Sequence, residues 1–179
     1  MKRLIYRIVL LLAGLITACS SPQQVMPTSH DLGTIALSDA GMSITVNAPV
    51  WLWNARIRYR LLYKDATAIA YYNQDRWEAP VPALLERRLI VPTNAQVSRL
   101  IVELTQFEQQ FKALQDARVV MALTVSAISN NDHVLATRTF TLAQQTESAD
   151  AKGAIKGFVA LTEQANQAIA FWLQSLADK

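Results

Sequence analysis

The chain has 179 residues, 51% of them hydrophobic, with 17 Lys and Arg against 14 Asp and Glu and a single cysteine. Three of the cations, Lys2, Arg3 and Arg7, stand in the first 18 residues, so the remainder carries 14 against 14 and lacks the global basic field that draws nucleic acid. One cysteine excludes an internal disulfide framework, and the roughly 150 residues beyond the N-terminal region suit one domain with a real core.

The N-terminus reads as a leader. Lys2, Arg3 and Arg7 precede an apolar run, Ile8 to Ile16, of signal-peptide length and too short to span a bilayer comfortably. Small residues, Thr17 and Ala18, stand before Cys19. The segment Ile16-Thr17-Ala18-Cys19 resembles the bacterial lipobox. That resemblance implies cleavage after a signal peptide of residues 1–18, an S-diacylglycerol on the Cys19 thiol and an acyl chain such as palmitate on its new amino group. Several chains anchor almost permanently because each buried CH₂ contributes about 0.8 kcal/mol. An ordinary signal peptide with an incidental cysteine, or an uncleaved anchor, is the alternative. Residues 19–30, ending "SSPQQVMPTSH", are small, polar and proline-containing and read as a flexible tether. Ser20 after the cysteine, by the same resemblance, implies sorting to the outer membrane of a Gram-negative bacterium, with the domain facing the periplasm.

The domain is expected over 31–179. "LGTIALS" (32–38) and "MSITVNA" (42–48) are β-type runs around Asp39-Ala40-Gly41. "APVWLWNA" follows, where Trp51 and Trp53 would share one face of a strand, either half-buried or turned to a membrane or partner. Next, Arg56, Arg58 and Arg60 alternate with Ile57, Tyr59 and Leu61, one cationic and one apolar face, with 66–74 returning as a strand. Pro80 and Pro82 suit the first turn of a helix that carries Leu84, Leu85, Leu89 and Ile90 and stops at Pro92. Runs 98–111, 117–129 and 133–145 predict an antiparallel meander with a tight turn at Asn130-Asn131-Asp132. Residues 150–177 predict a long helix with Asp150 near its cap and one stripe through Ile155, Phe158, Val159, Thr162, Ala165, Ile169, Trp172, Leu173 and Leu176. The expected fold is a single α/β (α+β) domain, a mixed, mostly antiparallel sheet flanked by two main helices.

The lipobox, the Arg58-Tyr59-Arg60 strand, "YYNQDRWEAPVPALLERRL", "VELTQFEQQF" and the closing "AFWLQSL" together resemble the ABC-type transport auxiliary lipoprotein family, the PqiC-like outer-membrane lipoproteins. Trp77, Pro80, Phe107 and Trp172 carry the structural part of that likeness. It implies a partner role rather than an enzymatic one. Such a lipoprotein docks the periplasmic MCE-domain protein of a transenvelope lipid transport system at the outer membrane, supports membrane integrity and assembles in rings. The alternative is a lipid-binding carrier with an apolar pocket of its own.

No catalytic or metal constellation is expected. His30 falls in the tether and His133 in a turn, too few and too distant for a metal. Glu103 and Glu108, five residues apart on a strand, should point to opposite faces unless a bulge intervenes. Arg56, Arg58 and Arg60 are either a solvated face or contacts to an anionic headgroup or acidic partner. Phe107 and Phe111 share one strand face and read as core, as does the C-terminal pair Phe171 and Trp172, whose last turn is a secondary interface candidate.

Overall fold

Long apolar–polar alternation between residues 99 and 145 makes three strands the spine of the computed structural model, which describes residues 26–33, 42–92 and 94–177. These are β5 (Arg99–Ala113), β6 (Asp116–Ile128) and β7 (Val134–Gln145), paired antiparallel as a meander. Asp132 takes the positive φ that the turn before β7 needs, a role open to Asp as to Asn. Along the other edge of β5 lie two shorter strands, both parallel to it. β2 (Ser43–Asn47) pairs with its first third and β3 (Arg56–Leu61) with its last. β4 (Ala70–Trp77) runs antiparallel to β3, and β1 (Thr28–His30) runs parallel to β4. Among the described residues these seven strands form one mixed sheet, β1-β4-β3-β5-β6-β7, with β2 beside β5.

Two helices cover one face. α1 (Val81–Arg88) opens with Pro80 at its N-cap and Pro82 in its first turn, where a missing N–H costs nothing. α2 (Ala151–Ala177) is capped by Asp150, whose Oδ1 accepts the Gly153 N–H at 2.8 Å. The stripe on α2 is the expected one. Phe158, Thr162, Ala165, Ile169, Trp172 and Leu173 are buried, but Phe171, expected in the core beside Trp172, lies off the stripe and turns to solvent. The core therefore lies between one sheet face and both helices, and among the described residues no helix covers the opposite, open face.

Several expectations need correction. Residues 28–30, read as tether, form β1, and its strand ends where the Asp31 carboxylate accepts the Gly33 N–H and Gly33 takes φ 92°. The run 32–38 is thus not one strand: Leu32 is a core residue, and 34–41 lie outside the described residues, as do the leader and Cys19. The helix expected to reach Pro92 ends at Arg88. The Asn166 side chain accepts the Ile90 N–H at 3.0 Å and donates to the Arg88 carbonyl at 3.3 Å, which frees Leu89 to enter the core.

A further correction concerns Glu103 and Glu108. The pairing of β5 with β6 runs Leu104 to Leu123 and then Gln106 to Ala122, so Thr105 is an extra residue. Such a bulge reverses the alternation beyond it. Glu103 opposite Thr124 and Glu108 opposite Val120 therefore share the open face, while Leu104 and Phe107 both point inward.

Candidate interaction surface

The residues of the structural likeness sit in the core. Trp77, at the end of β4, presents edges to Phe107 (centroids 6.1 Å) and Phe158 (5.9 Å), and Phe107 stacks on Phe158 at 3.9 Å. Trp172 meets Phe140 edge-on at 6.0 Å. These contacts clamp α2 to the sheet.

The open face is organised by Glu108, only 2% exposed. Its carboxylate accepts Nε of Arg58 (3.1 Å), Nε and Nη2 of Arg60 (3.1 and 3.2 Å), and the side-chain amides of Gln110 (3.0 Å) and Gln106 (3.3 Å). Gln110 in turn accepts Nε and Nη2 of Arg118 at 3.2 and 3.0 Å. Burial alone would raise the Glu108 pKa. The hydrogen bonds from Arg60 and Gln110 and the charges of Arg60 and Arg58 outweigh it and hold the carboxyl below its ordinary range. An acid fixed in its charged form by two guanidiniums is a positioning group, not a proton donor at neutral pH. Two arginines on one carboxylate leave a net positive charge on this face.

Arg56 is separated from that network by a register shift in β3–β4: Arg58 pairs with Tyr71, but Arg56 pairs with Arg76. Its guanidinium lies 3.7 Å from the Tyr71 ring centroid. Arg56, Arg58 and Tyr71 line one small recess of about 10 Å³ together with Trp51, Leu52, Asn54, Val81 and Phe107. Arg58 gives only Nε to Glu108, and among the described residues its terminal nitrogens meet no other side chain or carbonyl.

Trp51 and Trp53 do not alternate along a strand. Val50–Leu52 form a single 3₁₀ turn after Pro49, Leu52 is buried beneath it, and Trp53 ends it. The two indoles are 54% and 48% exposed, so neither belongs to the core. The Trp53 Nε1–H donates to the Ala48 carbonyl at 3.1 Å, which fixes that ring at the surface.

The two histidines remain apart from this surface. His30 bonds Asp75 at 2.8 Å across β1 and β4, and His133 is exposed in the turn before β7. Among the described residues no three His, Cys, Asp or Glu side chains gather. Glu103 is held by Asn47 Nδ2 at 2.7 Å, a different neighbourhood from that of Glu108. Beside β1 an open groove of about 410 Å³ is lined by Ser29, His30, Asp31, Gly33, Glu78, Ile155 and Val159, a wall of mixed polar and apolar character.

Sequence reading found the arginines but not what holds them. Read from sequence alone, Glu108 is half of a carboxylate pair, and Gln110, Arg118, Tyr71 and Arg76 do not stand out. A signal did exist: Gln106, Glu108 and Gln110 alternate with Phe107 and Phe111, as Arg56, Arg58 and Arg60 do with Ile57 and Tyr59. Two polar faces of opposite charge on neighbouring strands are complementary.

No family model matches the chain, and no curated protein matches it. Solved structures do. A crystal structure of a Xanthomonas campestris protein described by the family model DUF330 superposes with a TM-score of 0.63 at 16% identity, over 86% of this chain and 95% of that one. A crystal structure of an uncharacterized protein gives a TM-score of 0.65 at 15% identity, over 83% and 99%. At such identity the likeness is one of fold: the chain has the architecture of these proteins along nearly their whole length.

Proposed function

We propose that the protein is a lipid-anchored auxiliary subunit of an MCE/ABC-type transenvelope lipid transport system, held at the outer membrane by acylated Cys19 and facing the periplasm. It acts by binding the MCE-domain protein rather than by catalysis. The observation that carries this reading is the lipobox-like Ile16-Thr17-Ala18-Cys19 ahead of a domain with this fold. DUF330 is the family model of the PqiC-like proteins, so the likeness of fold supports it. The open sheet face, where a buried carboxylate organises Arg58 and Arg60, is the surface offered to the partner.

Mass spectrometry of the chain purified from its own membranes tests the anchor. A diacylglyceryl and an acyl group on an N-terminal Cys19 are expected, and Cys19→Ser should leave an unprocessed precursor. An unmodified Cys19 in mature protein would refute the anchor. Detergent co-purification with an MCE-domain protein tests the docking role, and its absence from native membranes would refute that role.

A further inference from the structure

The Val50–Trp53 turn is an exposed apolar feature with a consistent setting. Val50 is 81% exposed and stands beside the half-exposed indoles of Trp51 and Trp53. From Ala48 to Lys64 the chain holds Arg56, Arg58, Arg60 and Lys64 and no acid. Arg56, three residues after Trp53, lies over Tyr71 at the rim of the recess that Trp51 also lines. Indoles and tyrosines beside arginines, without acids, are what the boundary between lipid headgroups and acyl chains takes up.

A second observation concerns where the N-terminal segment joins the domain. Ser29 of β1 is opposite Arg76 of β4, whose Nε donates to the Ser29 hydroxyl at 3.1 Å, and Arg76 is opposite Arg56 of β3. Two strand spacings, about 10 Å, therefore separate Ser29 from Arg56. Eight residues lie between Thr28 and Cys19, and covalent geometry limits the reach of that segment to about 30 Å. A lipid on Cys19 would thus place a bilayer within reach of the turn, on the side of the sheet where that segment attaches.

We propose that Val50, Trp51 and Trp53 form a peripheral membrane contact, inserted at the level of the headgroups, with Arg56 binding lipid phosphate. The contact rests on the anchor reading for its setting. It fixes the orientation of the domain, turning the rim of the open sheet face towards the bilayer instead of leaving the domain to swing on its tether.

The test uses the full chain purified from membranes and reconstituted in vesicles of phosphatidylethanolamine and phosphatidylglycerol, with and without lipids brominated near the top of the acyl chain. Bromolipids should quench part of the tryptophan emission. In the double variant Trp51→Phe/Trp53→Phe that quenching should disappear, because the remaining Trp77 and Trp172 are buried. Arg56→Gln should weaken quenching about fivefold on phosphatidylglycerol vesicles and by less on phosphatidylcholine, whose choline ammonium competes for the same phosphate. Absent quenching, quenching that survives the double variant, or indoles shielded only when a partner protein is added would each overturn the contact. An Arg56→Gln variant that quenches normally on anionic vesicles would overturn the phosphate assignment. The mass of Cys19 in the same sample separates the two proposals. Acylated protein without quenching removes the contact alone, and quenching without acylation removes the anchor alone.

Discussion

Arg60 grips Glu108 with a fork, Nε on one carboxylate oxygen at 3.1 Å and Nη2 on the other at 3.2 Å. The remaining Nη1 donates to the Ala66 carbonyl at 2.7 Å, so the same side chain ties β3 to the loop before β4. Two parallel bonds fix direction as well as distance, which a lysine at this position would not do. With Arg58 on the same carboxylate, one acid on β5 ties together two positions of β3.

Removing the acid should therefore cost more than a surface ion pair does. Glu108→Ala leaves Arg58 and Arg60 facing each other without a counter-charge. A fully buried pair broken in this way costs about 3–5 kcal/mol. Both guanidiniums here still reach water, so about 2–3 kcal/mol is expected, read as a lower urea midpoint. An unchanged midpoint would show that the network is an ornament of the face. Arg60→Lys should lose part of the same stability, because the fork is lost while the charge is kept.

Acid should weaken the fold through the same group. The Glu108 carboxyl titrates below its ordinary 4.5 in the folded chain, because Arg60, Gln110 and Arg58 outweigh its burial. Its contribution is fully present above the unfolded pKa and is lost as pH falls through the folded one. Asp150 has the same sign, lowered by the Ser148 hydroxyl and the Gly153 N–H. Stability should be flat near neutral pH and fall below about pH 4. Glu108→Gln should flatten that acid limb, as measured by denaturant midpoints across pH. A limb of unchanged steepness in Glu108→Gln would assign it to other carboxylates.

How far the sequence reads as structure follows from which signals are local. The meander and α2 were legible because a period of two recurs in each of the three long strands between 99 and 145 and a period of 3.6 runs through 151–176, and a cap such as Asp150 needs only its own neighbours. The side of Glu108 was not, because one extra residue at Thr105 reverses the alternation, and nothing in "VELTQFEQQF" marks which residue is extra. β1 was hidden for a different reason. Three residues, Thr28–His30, carry no period, and their strand exists only because β4 offers them an edge. The indoles of Trp51 and Trp53 were placed on a strand by spacing alone. The turn that exposes them is set by Pro49 before it and by the buried Leu52 within it.

Trp77 should be among the costliest single side chains to remove. It is almost wholly buried at the junction of β4, β5 and α2, edge-on to two phenylalanines that stack on each other. Trp77→Ala deletes the ring and leaves a cavity between rigid neighbours, so about 3–5 kcal/mol is expected. Thermal unfolding of the variant checks it. A melting curve like that of the parent would mean that the site collapses around the loss, which the Phe107–Phe158 stack opposes.

The first turn of α2 offers a case in which helix propensity and packing predict opposite signs. Gly153 is in a helix, where alanine is ordinarily better by about 1 kcal/mol. A Cβ at this position, however, would stand 2.0 Å from the Ser148 carbonyl oxygen and 2.9 Å from its carbon, both of them backbone atoms. Those atoms belong to the turn that delivers the Asp150 cap, with the Ser148 hydroxyl bonded to the Asp150 carboxylate at 2.6 Å. The clash cannot be relieved by swinging a side chain aside. The turn must move, and the cap on Gly153 N–H moves with it. Overpacking of this kind costs about 1–3 kcal/mol and should exceed the propensity gain, so Gly153→Ala is expected to be less stable than the parent. At Gly157 the nearest atom is the Val119 side chain at 2.7 Å, which has room to turn only at the expense of its own packing. Gly157→Ala should therefore be the milder of the two. Midpoints in which Gly153→Ala equals or exceeds the parent would show that this turn yields freely, and that the approach of α2 to the sheet is set elsewhere along the helix.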